Sequence, residues 1–407
     1  MSNSKFIIPA LIGTLCMTMT ACSSDDEPTA ANSFDPIEVS PEQSRTVERQ
    51  NDFAFRLFKA ASAQHDGNLA ISPLGMSFAM SMVANGAEGK TLSEMLDAVG
   101  GGCTVEELNS LNSLLSERLP VIDPLTTVRL ANSMWANNSL VVKPTFSSAI
   151  SDMYRGDLFN TDLSSGQSVA DINSWVSDKT SGMIPRMLDK PLGGEFALVN
   201  TIYFHGEWSK KFDKSLTTKR YFTNADGSKS AVDMMRDPDS GTFYLTGEKM
   251  HGTERVYGNG AYSITMLMPK DGVSLDACID ELAVNADEAY ITRGATVTEL
   301  RIPRINVEMN MDFIPAMKAL GVNEVFGRTA NLSGISDMPA YISELRQFTK
   351  FVLDEEGTMA SSATYAKGEY IADIDAFVSL HFDRPFLYFI TERSSGSILF
   401  MGKIESL

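Results

Sequence analysis

Apolar residues recur at helical spacing early in this chain and in strand-like alternation or short runs later, so it reads as helices followed mainly by strands. Ser40-Pro41-Glu42-Gln43 combines a capping serine, a first-turn proline and a glutamine three residues after the cap. It predicts a helix with Ala54, Leu57, Phe58 and Ala61 on one face. A second helix opens in the same way at Ser72-Pro73 and carries Ala79, Met80 and Val83. Strand signals follow at Val128-Arg129-Leu130-Ala131, at Phe196 to Val199 running into Thr201-Ile202-Tyr203-Phe204, and at Tyr262 to Met268. Leu300, Ile302, Ile305, Val307 and Met309 flank Pro303, and Gln347 to Leu353, Ala376 to Phe382, Phe386 to Thr391 and Ser397 to Met401 complete the set. No repeat and no long linker divides the pattern, which predicts one α+β domain over 40–407. A division near residue 190 would leave the C-terminal half with many unpaired strands.

The N-terminus has a different character. Lys5, the apolar stretch Phe6 to Leu15 and Thr20-Ala21-Cys22 predict an export signal over 1–21, too short to span a bilayer as a mature helix. The Ala21-Cys22 ending resembles a bacterial lipoprotein signal, with Met19 where leucine is usual; the resemblance implies that Cys22 takes the lipid and becomes the new N-terminus. Ser23-Ser24-Asp25-Asp26-Glu27 looks like the acidic tract that sends some lipoproteins to the cell surface. The expectation is an outer-membrane protein facing outward, held by its lipid alone; a plain secretory signal, with a periplasmic or secreted product, is the alternative. Residues 22–39, rich in Ser, Asp, Pro, Ala and Asn, read as a flexible tether.

Charge narrows the partners. The 52 acidic and 34 basic residues give a formal net charge of −18, which repels phosphate backbones and disfavours nucleic acid. Without a long Lys/Arg run, no polyanion activator is expected. After processing, Cys22, Cys103 and Cys278 make neither a disulfide framework nor a Cys/His metal cluster, so no metal or cofactor is expected. Gly89-Lys90-Thr91 lacks the earlier glycine of a phosphate-binding loop, since Ala84 stands there. His65, His205, His251 and His381 form no metal-binding pair, and no nucleophile elbow is present. A glycosidase acid pair would leave no local spacing signature.

The segment Glu355 to Asp375 carries the strongest functional signal. It lies between two predicted strands, and long connections without structure of their own are usually functional or disordered. Thr358, Ala360, Ser362, Thr364, Ala366 and Gly368 are all small, whereas Met359, Tyr365, Lys367 and Glu369 fall on the other parity. Successive side chains of a strand face opposite sides, so this stretch could slide between two strands with its slim face inward. No proline lies between Gly357 and Asp375, leaving the backbone free to pair on both sides.

Glu355-Glu356-Gly357-Thr358-x-Ala360-Ser361-Ser362-Ala363-Thr364 resembles the hinge of inhibitory serpins. Other segments agree in order: Asn68 to Pro73, Gly86 to Thr91, Leu198 to Trp208, Asp383-Arg384-Pro385-Phe386 and Leu399 to Lys403. The resemblance spans about 46–407 and implies a serpin fold, in which N-terminal helices pack on large mixed and antiparallel sheets and a reactive loop is exposed near the C-terminus. It implies an inhibitor, most simply a monomer, that is not an enzyme. The target protease cuts the loop and forms a covalent acyl complex, and the freed hinge inserts as a new central strand. About 14 inserted residues at roughly 3.3 Å each carry the enzyme some tens of ångströms. Distortion of its oxyanion hole, whose donors are worth about 3 kcal/mol each, then stalls hydrolysis.

By the same resemblance Ser72 and Asn200 belong to a polar cluster under the sheet that must part. The family's serine three residues after Ser72 is Gly75 here, and its histidine is Gln347. Trp208 matches the aromatic where the loop first enters, and Glu355 with Arg304 matches a charge pair at that place. Fourteen residues from Thr358 put the cut after Ile371, whereas counting back from Pro385 in the commonest family spacing gives Ile374. Small Ala372 suits the far side better than Asp375, so the expected bond is Ile371-Ala372, which fits elastase-like pockets. Tyr370 offers a chymotrypsin-like bond instead, or an aromatic for papain-like cysteine proteases. Two other classes compete: a non-inhibitory serpin-fold binding protein, disfavoured by small Thr358 and Ala360, and a surface glycan-binding or glycan-cleaving lipoprotein, for which Trp135, Trp175 and Trp208 show no platform spacing.

Overall fold

Ser40 caps the first helix, Pro41–Ser62, through the reciprocal pair that its sequence predicts: Gln43 N–H donates to Ser40 Oγ at 3.2 Å and Ser40 N–H to Gln43 Oε1 at 2.9 Å. The computed structural model describes residues 35–357 and 377–407. Cys22 with its signal, Thr358 to Thr364, and the Tyr370, Ile371 and Ala372 positions lie outside the described residues. Ala54, Leu57, Phe58 and Ala61 are all buried, as their spacing predicts. Residues 35–39 behave differently from the tether assigned to them. Ile37 is buried, its N–H donates to Ser394 Oγ at 2.8 Å, and Asp35 pairs with Arg118. The compact unit runs from Phe34 to Leu407, so it includes the last residues of that stretch and crosses residue 190 without a break.

Two sheets organise this unit. The first has five strands in the order Ile305–Asp312, Glu344–Leu353, Phe196–Gly206, Thr126–Asn137 and Asp157–Thr161. Its central pair, Glu344–Leu353 with Phe196–Gly206, is parallel, and the antiparallel partners lie outside it. The second sheet has ten strands, all antiparallel neighbours except Phe377–His381, which runs parallel to Ile291–Pro303. Pro303 ends the latter strand and Ile305 begins the edge strand of the first sheet, so one chain passes between sheets where proline cannot donate to a ladder.

Helix Pro73–Ala84 is buried on every side, because it lies in the main core between the first helix and both sheets. The opposite face of the five-stranded sheet carries a smaller core, where Ile172, Trp175 and Val176 of helix Gly166–Lys179 meet Trp135, Ala197 and Val199. The sheet is thus covered on both faces, and burial of its apolar faces at about 25 cal/mol per Å² drives the assembly. Cys103 and Cys278 are both buried and unbridged.

Candidate functional site

The central parallel pair does not stay paired along its length. Its register runs from Glu344 opposite Ala197 to Thr349 opposite Ile202 and stops there. Each strand keeps its outer partner further on, Leu353 opposite Ile305 and Gly206 opposite Thr126. Lys350–Leu353 and Tyr203–Gly206 therefore lack ladder bonds to each other, and the chain leaves for the loop from this end.

Below the split, the two strands are fastened by a buried polar network. Ser72 caps helix Pro73–Ala84, accepting from Gly75 N–H at 3.1 Å and donating its hydroxyl to the Leu399 carbonyl at 2.7 Å. Gln347 reads Ser72 from both sides: Ser72 N–H donates to Oε1 at 2.7 Å, and Nε2 donates to the Ser72 carbonyl at 2.8 Å. Nε2 also donates to Asn200 Oδ1 at 2.7 Å, and Asn200 Nδ2 to Asn132 Oδ1 at 2.8 Å. All four residues are buried. The two departures from the family pattern fit one another. A Cβ on Gly75 would meet Asn200 Oδ1 at 2.5 Å, so the missing side chain leaves room for the amide that Gln347 grips. Asn132, from a third strand, was not among the sequence candidates; its signal is a polar residue within an otherwise apolar strand core.

At the split end, Asp354 to Gly357 fold back as a tight turn. Asp354 N–H donates to the Gly357 carbonyl at 2.9 Å, and Gly357 forms an antiparallel bridge with Glu207. Gly357 has φ +122, and a Cβ there would lie 2.4 Å from the Gly206 carbonyl oxygen, so only glycine fits. The turn rests on residues 207–212: Trp208 N–H donates to the Glu356 carbonyl at 3.0 Å, Phe212 N–H to the Glu355 carbonyl at 3.0 Å, and Trp208 Nε1 to the Asp354 carbonyl at 2.9 Å.

The structure brings the expected charge pair together. Arg304 donates from Nε to both Glu355 oxygens at 3.0 Å and from Nη2 to Oε1 at 2.8 Å, while the Thr217 hydroxyl donates to Oε1 at 2.6 Å. Glu355 is only 2% exposed, which makes this a desolvated bidentate contact rather than a loose surface pair. Burial pushes its carboxyl up, but the Arg304 and Thr217 hydrogen bonds outweigh that and hold it below the ordinary carboxylate value. Glu356 bridges Lys214 at 2.6 Å and Lys211 at 3.0 Å, which lower its carboxyl in turn. Beside this cluster an open depression of about 380 Å³ is bordered by Lys214, Arg304, Leu353 and Glu355.

Trp208 is buried, stacked on Tyr257 with ring centres 4.5 Å apart. Beneath it sit residues that sequence reading missed, Arg255 and Asp237, paired at 3.0 Å inside the protein. The available signal was parity, since Arg255 alternates with Thr253 and Tyr257 on the buried side of its strand. Thr217, Lys211 and Lys214 gave no signal; they are ordinary surface residue types brought in by the fold.

What this geometry can do is admit a strand: two parallel neighbours already parted at one end, a turn held above them by charge and backbone bonds, and a neutral network where parting would continue. Known proteins share the arrangement at chain scale. The profile of the family Serpin (serine protease inhibitor) matches residues 48–407. Iripin-5 of Ixodes ricinus is 28% identical over 372 residues, 88% of this chain and 93% of that protein. Serpin I2 of Homo sapiens is 28% identical over 382 residues, 89% of this chain and 91% of that protein. The native-state crystal structure of the thermophilic serpin tengpin superposes with a TM-score of 0.80 at 27% identity, covering 91% of this chain and 95% of that one. With the profile, the relatives and the fold in agreement, the chain belongs to the serpin family, whose members are in general protease inhibitors of suicide mechanism and not enzymes.

Proposed function

We propose that this serpin inhibits elastase-like serine proteases as a suicide substrate. The protease serine attacks the Ile371 carbonyl, the bond to Ala372 breaks, its amine leaves, and Ile371 stays esterified to the enzyme. Residues from Thr358 onward then enter between Glu344–Leu353 and Phe196–Gly206 as an added strand, a mode of β-strand addition for which serpin loop insertion is a known example. The observation that supports this most directly is the ladder that stops at Thr349 and Ile202 while both outer ladders continue. A dozen new backbone bonds at about 1 kcal/mol each provide the drive. The protein acts as a monomer from the outer membrane, tethered through lipidated Cys22, a placement supported by Thr20-Ala21-Cys22.

Mixing the protein with pancreatic elastase and running a denaturing gel tests the reading. The expected result is a covalent band, with a released C-terminal peptide that begins at Ala372. A peptide beginning at Ile371 moves the bond to Tyr370 and chymotrypsin-like enzymes, and cleavage without a covalent band overturns the inhibitor reading. For the anchor, fatty-acid labelling is expected in the parent and lost in Cys22→Ser.

A further inference from the structure

Arg255 ties together the segment on which the loop root rests. It is buried; Nη1 donates to Asp237 Oδ2 at 3.0 Å and Nη2 to the Lys210 carbonyl. Its guanidinium carbon lies 5.2 Å from the Trp208 ring centre and 4.2 Å from that of Phe212, within cation–π range of both. Asp237, also buried, takes a second cation, Lys210 Nζ, at 2.9 Å. Lys210 is thus fastened by its backbone to Arg255 and by its side chain to Asp237, and the aromatic rings two residues to either side are held by the same guanidinium.

A buried ion pair is an expensive way to fill space. Each charge loses its hydration, and apolar residues of similar volume often serve stability as well or better. Trp208 and Phe212 do not need a cation beneath them to be buried. What the pair does supply is a fixed shape for residues 208–212, and those residues carry the Glu355 and Glu356 carbonyl contacts and the Trp208 Nε1 bond to Asp354. Backbone bonds of this kind persist only while the receiving segment keeps its conformation.

We propose that the Arg255–Asp237 pair locks the uncut state: by holding residues 208–212 rigid it keeps the Asp354–Gly357 turn seated there and out of the unpaired stretch between Lys350–Leu353 and Tyr203–Gly206. The inference rests on the loop-insertion reading above and adds a control on when insertion starts. Arg255 acts through Trp208, Lys210 and Phe212, so it is a positioning residue.

The test uses the whole uncut protein without protease. Arg255→Leu and Arg255→Leu/Asp237→Leu, the second leaving no orphaned carboxylate, are held at 37 °C and sampled for elastase complex formation, heat resistance and, by mass, an intact chain. The lock predicts that complex-forming protein disappears at least ten times faster than in the parent while an uncut, heat-resistant form accumulates. Adding Thr358→Arg, which obstructs entry of the first loop residue, should abolish the conversion. An unchanged rate in both variants overturns the lock, as does loss through aggregation with no heat-resistant form, because ordinary packing damage destabilises and does not create a more stable product. If the parent forms no covalent band, the inhibitor reading fails, yet the heat-resistance readout still decides the lock.

Discussion

The two ends of the central strand pair are fastened by different chemistry. Toward the middle of the sheet, Ser72, Asn132, Asn200 and Gln347 are buried and neutral, each amide satisfied by another buried polar group. At the split end, Glu355, Glu356, Arg304, Lys211 and Lys214 are ionised and lie near water. A neutral buried network does not respond to pH or salt over the physiological range, but leaving any member unpaired is costly. A partly solvated ionic clasp is individually weaker and responds to both. The end where a loop would enter is therefore the adjustable one, and the network ahead of it the resistant one.

Cleavage is expected to erase this contrast with the largest effect. If the loop root enters the split, the cleaved form should melt tens of degrees above the intact form, because the intact fold is held by a kinetic barrier rather than by depth. Equal calorimetric melting before and after nicking would mean that the split end never opens.

Gln347→Ala attacks the resistant end. It strips Ser72 N–H and Asn200 Oδ1 of their partners, and two buried orphans at about 1–3 kcal/mol each should lower intact stability by roughly 2–5 kcal/mol. Denaturant unfolding reads it directly, and a loss below about 0.5 kcal/mol would show that water replaces the amide without cost.

The clasp should reveal itself by pH. Glu355 and Glu356 are both held below the ordinary glutamate value, so the unfolded chain binds protons first as pH falls. Their contribution is complete above about pH 5 and is lost as pH drops through the ordinary value near 4.3 toward the lower folded one. Glu355→Gln should cost about 1–2 kcal/mol at pH 7 and flatten the decline between pH 5 and 3. Thermal melts across that range check it; parallel pH curves for parent and variant would remove Glu355 from the account.

The smallest effect is expected at the outer lysines. Lys211→Gln/Lys214→Gln should lower the melting temperature by only about 1–2 °C in low salt and by nothing measurable in 0.5 M NaCl, since exposed pairs are weak and screened. A salt-independent drop would mean that these lysines do more than pair with Glu356.

Much of this was legible beforehand for stated reasons. The Ser40 and Ser72 caps, the alternation over Gln347 to Leu353 and the break at Pro303 are local signals, and each produced the element it implied. The nearness of Glu355 to Arg304 and of Ser72 to Asn200 and Gln347 came from family resemblance. The boundary at Ser40 was set too late, because the cap marks where a helix starts and not where packing starts; Ile37 is buried with no helical signal of its own.

Arg255 and Asp237 were passed over because charged residues are normally read as solvent-facing, and a sequence window does not contain the partner that makes burial tolerable. Periodicity, caps and chain-wide motifs by themselves determined that this is one α+β domain of serpin pattern with a small-residue hinge after a strand. Only the tertiary structure decided that the central ladder stops at Thr349, that Gly75 makes room for the amide Gln347 holds, and that a buried ion pair underlies the loop root. Those facts join strands dozens to hundreds of residues apart, and such contacts are set by packing and not by local backbone preference.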